Sequence, residues 1–288
     1  MDWNEFVYQC WGDHAHNAAL VGERIKEKSR ELKEPAILNT FVPLLVHVYG
    51  EHLGDWQHGI DILKSFSSLA NTEELKALLK RSEAILSLGI NPTTSMAEFS
   101  ISEQTRIFAT VSSAFLGHEK TELAVQFLTK ALSSANQLGP KDPAVRSLAV
   151  STNGMASALE MRETLTTAEV DLMLECAQAA RTYWELAGTW KEVERAEYRL
   201  SFCHLKAKMA TEALKHAELC LHIVEQNGAD FFEKFFAHEA LAMSQFSLGQ
   251  LEKAKKEVMV AEELFGKIEA GSRQWCQESL AKLKKLVV

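Results

Sequence analysis

Histidine is the residue type in this chain most suited to chemistry. Ten histidines occur among 288 residues, and imidazole is a common metal ligand. The segment from His47 to His52 reads H-V-Y-G-E-H and comes near the H-x-x-E-H motif of one class of zinc proteases. It has one residue too many, which displaces the first histidine by about 100° around an α-helix. We therefore expect no metalloprotease site here.

Two further groups place metal-binding side chains at close spacing. His14 and His16 follow Asp13 near a predicted helix start, and His216 shares a helical face with Cys220 at i, i+4 spacing. Each group supplies only two or three of the four ligands usual for zinc. A capping role for the first group and core packing for the second are favoured, so the sequence predicts no metal site and no cofactor.

Other signatures of catalysis are missing from the sequence. It contains no G-x-S-x-G nucleophile motif and no glycine-rich phosphate loop following a strand. The duplicated Glu-x-x-His pairs of di-iron helical bundles are also lacking. We therefore expect a protein that is not an enzyme and has no catalytic residues.

Composition favours helices throughout the chain. Only 5 Pro and 14 Gly occur, and Ala, Leu, Glu and Lys fill long stretches without the β-branched alternation of strands. With 47% hydrophobic residues, the chain can bury a substantial core. These features predict an all-α fold.

Charge and cysteine usage narrow the expected location and partners. A net charge of -8 repels phosphate backbones, which argues against nucleic acid as a partner. The first residues resemble no secretory leader, and no stretch reaches the roughly 18 apolar residues of a membrane span. The odd number of cysteines, without a C-x-x-C pair, is typical of reduced thiols in a core. We expect a cytoplasmic protein that binds no membrane. The cysteines are Cys10, Cys176, Cys203, Cys220 and Cys276.

Capping signals divide the chain into helices. Four helix starts have capping-box spacing, in which Ser, Thr or Asp precedes Glu by three residues, and Asp142 before Pro143 marks another start. The capping pairs are Ser100 with Glu103, Thr166 with Glu169, Thr189 with Glu192, and Asp230 with Glu233. The predicted helix pairs are 36–49 with 55–70, 101–117 with 119–138, 143–162 with 167–187, 190–207 with 210–226, and 231–248 with 250–269. A hairpin at roughly 2–33, a helix at about 72–88 and a terminal helix from about 272 complete the prediction.

The longest stretch of loop composition, from Gly89 to Ser95, suggests a division of the chain. We predict an N-terminal helical block at 1–90, containing the hairpin, one degenerate pair and the extra helix. The second part, 91–288, would be the main array of hairpins with a C-terminal capping helix. Dimerisation through that last helix is the weaker alternative to capping.

Small residues recur where paired helices must cross closely. Ala131, Ala180, Cys220 and Ala261 occupy matching second-helix positions, spaced by 49, 40 and 41 residues. Such a period indicates a repeat of helical hairpins. Since one hairpin cannot bury its apolar face alone, neighbouring hairpins are expected to stack.

The chain resembles the tetratricopeptide repeat family. The resemblance is best over residues 101–269, although the period is nearer 40 than the family's 34 residues and His47 fills a slot usually given to Gly or Ala. It implies a right-handed superhelical α-solenoid of stacked antiparallel helix hairpins with a concave binding groove. The family's slots are filled by Gly54, Asp55, Trp56, Gly59 and Leu63, and in the next pair by Ser112, Phe115, Ala124, Leu128 and Ala131.

The same resemblance implies which side chains line the groove. Counting from the small residue of each first helix selects a mixture of arginine, aromatic and amide groups. The selected residues are Arg106, Asn153, Arg195, Tyr198, Arg199, Phe202, Phe236, Glu239 and Met243. The aromatic cluster that begins at Phe231 is expected mainly to pack against a neighbouring hairpin.

Arg195 and Arg199 lie one helical turn apart and admit two interpretations. They could clamp a carboxylate of an acidic peptide, or form local ion pairs with Glu192, Glu194 and Glu197, which is the favoured reading. Changing both to glutamate is expected to abolish binding and leave the helical melt unchanged.

The leading functional hypothesis is a scaffold or adaptor that binds a peptide or helix of another protein in the groove. The alternative is a regulatory sensor that changes curvature on binding a short peptide or small ligand, similar to bacterial peptide-responsive regulators of this repeat class.

Overall fold

The structure, a computed structural model, describes residues 2–286. About 80% of the chain is helical and the described part contains no strand, which confirms the predicted all-α class. The predicted segments that include residues 1, 287 and 288 extend beyond the described residues. The α-helices are α1 Trp3–Ser29, α2 Leu38–Val46, α3 Trp56–Ser65, α4 Glu73–Ile90, α5 Ile101–Gly117, α6 Thr121–Ala135, α7 Pro143–Glu160, α8 Thr167–Ala187, α9 Trp190–Lys206, α10 Ala210–Gln226, α11 Phe231–Ser247, α12 Leu251–Lys267, α13 Ala270–Arg273 and α14 Gln277–Leu286.

The chain forms two compact units, Met1–Leu148 and Ala149–Val288. The division predicted after residue 90 falls inside the first unit, where side chains bridge the loop that follows α4. Arg81 of α4 donates hydrogen bonds of 3.0 and 2.8 Å to the two carboxylate oxygens of Glu103 of α5. Both bonds come from Nη1 and are charge-assisted, so they hold α4 against α5.

The first helix reverses direction within its own length. Asn17 leaves helical geometry at φ -139° and ψ 48°, and the Lys28 ammonium lies 4.8 Å from the centre of the Trp3 ring. A straight helix would separate these two residues by about 37 Å. The two halves of α1 are therefore antiparallel.

A π-helical turn, His47–His52, follows α2 in the first unit. Its wider hydrogen-bonding pattern brings residues five apart into register, and the Leu53 amide donates to the Val48 carbonyl at 2.9 Å. The expectation that the extra residue separates His47 from His52 is therefore wrong, since that expectation assumed α-helical geometry. Their Nε2 atoms lie 3.1 Å apart.

Trp56 is buried at the start of α3 and packs against the backbone of α4. A methyl group at Gly89 would lie 2.2 Å from Cδ2 of the Trp56 ring, a separation that packed atoms do not reach. The tryptophan thus occupies the space that any other residue at position 89 would need.

Replacing Gly89 with alanine is expected to lower the free energy of unfolding of the first unit by about 3 kcal/mol, because an overpacked core must distort. Gly12→Ala is the matched control in the same unit, since a methyl group there meets nothing within 4 Å. The control should raise stability by about 0.5 kcal/mol, the usual gain for alanine over glycine in a helix. Urea unfolding of both variants measures the difference, and equal midpoints would contradict this packing.

Antiparallel hairpins, α9 with α10 and α11 with α12, form most of the second unit. The small residues Ala213, Ala217 and Cys220 of α10 are buried, as the repeat predicts. Leu280 and Leu283 of α14 join the apolar core of α11 and α12. All five cysteines of the chain are buried as free thiols.

All four predicted capping residues accept hydrogen bonds at a helix start, but only two of the four pairs form a complete capping box. Thr166 and Thr189 form reciprocal capping boxes with their glutamates, and Ser100 accepts from the Glu103 amide. Asp230 accepts from the amides that open α11. The Glu233 side chain, however, does not return to this cap, because it is buried against Arg195.

Among residues 2–286, none of the helices combines the length and apolarity needed to cross a bilayer.

Candidate functional site

Residues of α7, α9 and α11 within the second unit line an open cavity of about 260 Å³. Five of the residues predicted for the groove line it together. They are Asn153, Arg195, Tyr198, Arg199 and Phe236, and the lining is completed by Glu194, Phe232 and Glu233. The cavity therefore combines an amide, aromatic rings and charged groups from three helices.

One wall of the cavity is aromatic. The Tyr198 ring lies 5.7 Å from the Phe236 ring and 4.6 Å from the Phe202 ring, measured between ring centres. Phe232 contacts Phe236 edge to face at 5.0 Å. Such edge and offset contacts stabilise aromatic clusters beyond simple burial. Met243 lies farther along α11, where it packs on the core shared with α12 and α14.

The Tyr198 hydroxyl is fixed by a buried acid. It donates a hydrogen bond of 3.0 Å to the Glu239 carboxylate, which is itself buried. Burial and the nearby Glu239 raise the pKa of Tyr198 well above its ordinary value. Burial also raises the pKa of Glu239, although hydrogen bonds from Ser279 and Tyr198 act in the opposite direction. The tyrosine ring is therefore a rigid part of the wall.

Both arginines of the cavity already have carboxylate partners on neighbouring helices. Arg195 contacts both oxygens of Glu233 on α11, and Arg199 Nη1 donates to Glu160 of α7 at 2.9 Å. Each guanidinium charge is thus balanced inside the second unit. A ligand carboxylate would have to compete with these internal partners.

The glutamates expected to pair with these arginines mostly serve elsewhere. Glu192 completes the cap of α9, and Glu197 bonds Arg181 and His216. Glu194 places its Oε1 atom 3.8 Å from Nε of Arg195. The closer carboxylate partners of Arg195 and Arg199 lie on neighbouring helices.

Glu194 and Glu233 are buried side by side. They are 1% and 3% exposed, and the Cys220 thiol donates to Glu194 at 3.3 Å. Burial, together with the adjacent Glu233 carboxylate, raises the pKa of Glu194 to about 8. At neutral pH the Glu194 carboxyl is mostly uncharged, so Arg195 and Glu233 balance each other.

Arg106 belongs to the first unit. Its guanidinium donates to the Ser147 hydroxyl and to Glu103, both at 3.3 Å. These contacts hold α5 to the beginning of α7, and they account for the arginine without a ligand.

Sequence reasoning passed over Glu160, Phe232 and Glu233 as groove residues. A usable signal exists, because Glu233 follows Arg195 by 38 residues and Glu160 precedes Arg199 by 39. These separations are close to one repeat, and equivalent positions in adjacent hairpins lie next to each other. Searching for opposite charges one repeat away would have found both pairs.

The cavity is suited to bind a ligand that carries no net charge. The aromatic wall can contact an apolar side chain, and the half-buried amide of Asn153 can both donate to and accept from a peptide backbone.

The chain matches none of the protein-family models against which it was scanned, and no curated protein matches it either.

Proposed function

We propose that the cavity between α7, α9 and α11 binds a peptide segment of another protein, which makes this chain a non-enzymatic scaffold or adaptor. The observation that carries the proposal is that Asn153 lines the same cavity as the aromatic rings of Tyr198 and Phe236, and that the arginines of this cavity are paired with carboxylates. The hairpins of the second unit would present this surface as stacked tetratricopeptide hairpins do.

The size and charge of the cavity define the expected ligand. Its volume of about 260 Å³ lies just below the range of about 300–1,000 Å³ usual for drug-sized molecules. One or two side chains suit it better. Since Arg195 and Arg199 are already paired, we expect an uncharged apolar side chain against Tyr198 and Phe236, with the adjacent peptide bond at Asn153.

Selection of short displayed peptides on the immobilised protein tests this proposal. The enriched peptides should share one large apolar residue and show no excess of Asp or Glu. Failure to enrich any peptide, or enrichment of acidic peptides alone, would contradict it.

Asn153→Ala should weaken binding of a selected peptide about tenfold, since it removes backbone hydrogen bonds worth about 1 to 1.5 kcal/mol. Gln178→Ala is the matched control, because Gln178 is an exposed amide on α8 and does not line the cavity. Fluorescence anisotropy with a labelled peptide measures both affinities. Equal affinities in the two variants would remove Asn153 from the binding site.

A further inference from the structure

Three histidines meet in the first unit, away from the cavity described above. His14 comes from the first half of α1, and His47 and His52 from the two ends of the π-helical turn. One ligand nitrogen of each ring lies within 4.8 Å of those of the other two. The five-residue register of the turn places His47 and His52 side by side.

Hydrogen bonds fix the tautomers of two of these rings. Nδ1 of His14 lies 2.7 Å from the Trp11 carbonyl oxygen, and Nδ1 of His47 lies 3.2 Å from the Glu51 carboxylate. Both oxygens accept, so each Nδ1 carries the proton in the neutral ring. The Nε2 atoms of His14 and His47 therefore carry no proton, the form in which imidazole binds a metal.

The third ring approaches at a distance suited to a shared ion. Nε2 of His52 lies 3.1 Å from Nε2 of His47. Two nitrogens on one tetrahedral zinc ion are about 3.3 Å apart, given Zn–N bonds of about 2.0–2.1 Å. The ligand nitrogen of His14, within 4.8 Å of the other two, would have to move closer to complete the site.

We propose that His14, His47 and His52 bind one Zn²⁺ ion through their Nε2 atoms. Imidazole is a preferred ligand of Zn²⁺ and similar divalent transition ions, and three protein ligands leave a fourth position for water. Glu51 and the Trp11 carbonyl would act as the outer acceptors that orient metal-bound histidines.

The surroundings support a defined site. The Trp11 ring lies 5.0 Å from the His47 ring and 5.2 Å from the His14 ring, between centres, and covers one side of the cluster. Nε2 of His118 donates to the Gly50 carbonyl at 2.7 Å and so holds the π-helical turn. π-Helical turns occur frequently at functional sites.

Zinc titration of protein first treated with a chelator tests the proposal, with a chromophoric zinc indicator as competitor. The unmodified chain should bind one Zn²⁺ ion, and His52→Asn or His14→Gln should weaken binding at least a hundredfold. Glu51→Gln should weaken it about tenfold, as expected for the loss of an outer acceptor. The absorption spectrum of the Co²⁺-loaded protein provides a second readout of tetrahedral nitrogen ligation.

His58→Asn is the matched control. His58 is an exposed histidine of the same unit, paired with Asp55 at 2.6 Å, and it lies outside the cluster. Its loss should leave zinc affinity unchanged, and far-UV circular dichroism establishes that each variant is folded. The proposal is overturned if the unmodified chain shows no saturable binding of one ion, or if His52→Asn and His58→Asn bind zinc equally well.

Discussion

Changing both Arg195 and Arg199 to glutamate is expected to lower the free energy of unfolding of the second unit by about 5 kcal/mol or more. Removing one partner of a fully buried ion pair typically costs about 3–5 kcal/mol. Each pair here is only partly buried, since the Arg195 and Arg199 side chains are 59% and 22% exposed, but two pairs are broken. Glu233 and Glu160 would each face a new carboxylate, and buried Glu194 lies next to the first of them. A loss of this size is comparable to the whole stability of a domain.

Single and double variants at Arg195 and Glu233 measure how much their ion pair contributes to the stability of the second unit. Arg195→Gln should cost about 2–3 kcal/mol, less than a fully buried pair because the Arg195 side chain is 59% exposed. Adding Glu233→Gln should recover most of that loss, since no uncompensated charge then stays buried. Urea unfolding of the two single variants and the double variant gives their coupling energy.

Lys215→Glu provides the matched control for charge reversal. Lys215 pairs with Glu212 on the surface of α10, and both side chains are at least 40% exposed. Its reversal should change stability by less than about 1 kcal/mol, as surface pairs do. A double arginine variant that melts like the unmodified protein would instead show that the expectation from sequence was right and that the buried glutamates tolerate the loss.

The helices were predictable because their signals are local. Thr166 with Glu169 and Thr189 with Glu192 satisfy helix-end amides within four residues of sequence, and the observed bounds differ from the predicted ones by a few residues. Glu233 has the same local spacing from Asp230. It serves a different role because a charge on a neighbouring hairpin competes for it.

The groove lining was partly predictable from the repeat. Counting from small residues selected Asn153, Tyr198 and Phe236, which share the cavity. The charge state of the cavity was not predictable, because it depends on contacts between residues about one repeat apart. From the sequence, only glutamates of the same helix were considered as ion-pair partners for Arg195 and Arg199, whereas their closest carboxylates lie on adjacent helices.

The histidine cluster was missed for a geometric reason. Periodicity was counted with 3.6 residues per turn, and this count separates His47 from His52. The reversal of α1 at Asn17 falls within the hairpin predicted at 2–33, but the π-helical turn is a departure from regular helix that the sequence pattern did not mark. A cluster that depends on a π-helical register lies beyond arguments from α-helical periodicity.

Replacing Glu194 with glutamine is expected to stabilise the second unit at pH 8 by an amount of the order of 4 kcal/mol. Burial and the Glu233 carboxylate raise the pKa of Glu194 from an ordinary 4.5 to about 8. The folded state therefore retains a proton that the unfolded chain releases near pH 4.5. The retained proton stabilises the folded state fully below pH 4.5. This stabilisation falls by about 1.4 kcal/mol per pH unit between pH 4.5 and 8, and it is lost once the pH has risen through 8.

Glutamine imitates the protonated carboxyl at every pH, so the variant should not show this loss. We expect the unmodified protein and Glu194→Gln to have similar stability near pH 5 and to diverge progressively towards pH 8. Glu197 acts in the opposite sense: burial raises its pKa, but hydrogen bonds from His216 and Arg181 outweigh burial and lower it. Glu197 is present in both the unmodified protein and Glu194→Gln, so its contribution cancels when their free energies of unfolding are compared at the same pH.

Urea unfolding at several pH values between 5 and 9 measures the divergence, with Glu218→Gln, an exposed carboxyl of α10, as the matched control. The control should follow the pH profile of the unmodified protein. Parallel profiles for Glu194→Gln and the unmodified protein would mean that Glu194 is already ionised at pH 5 and shares Arg195 with Glu233. The cavity would then carry a net negative charge at neutral pH, and its ligand should be basic instead of uncharged.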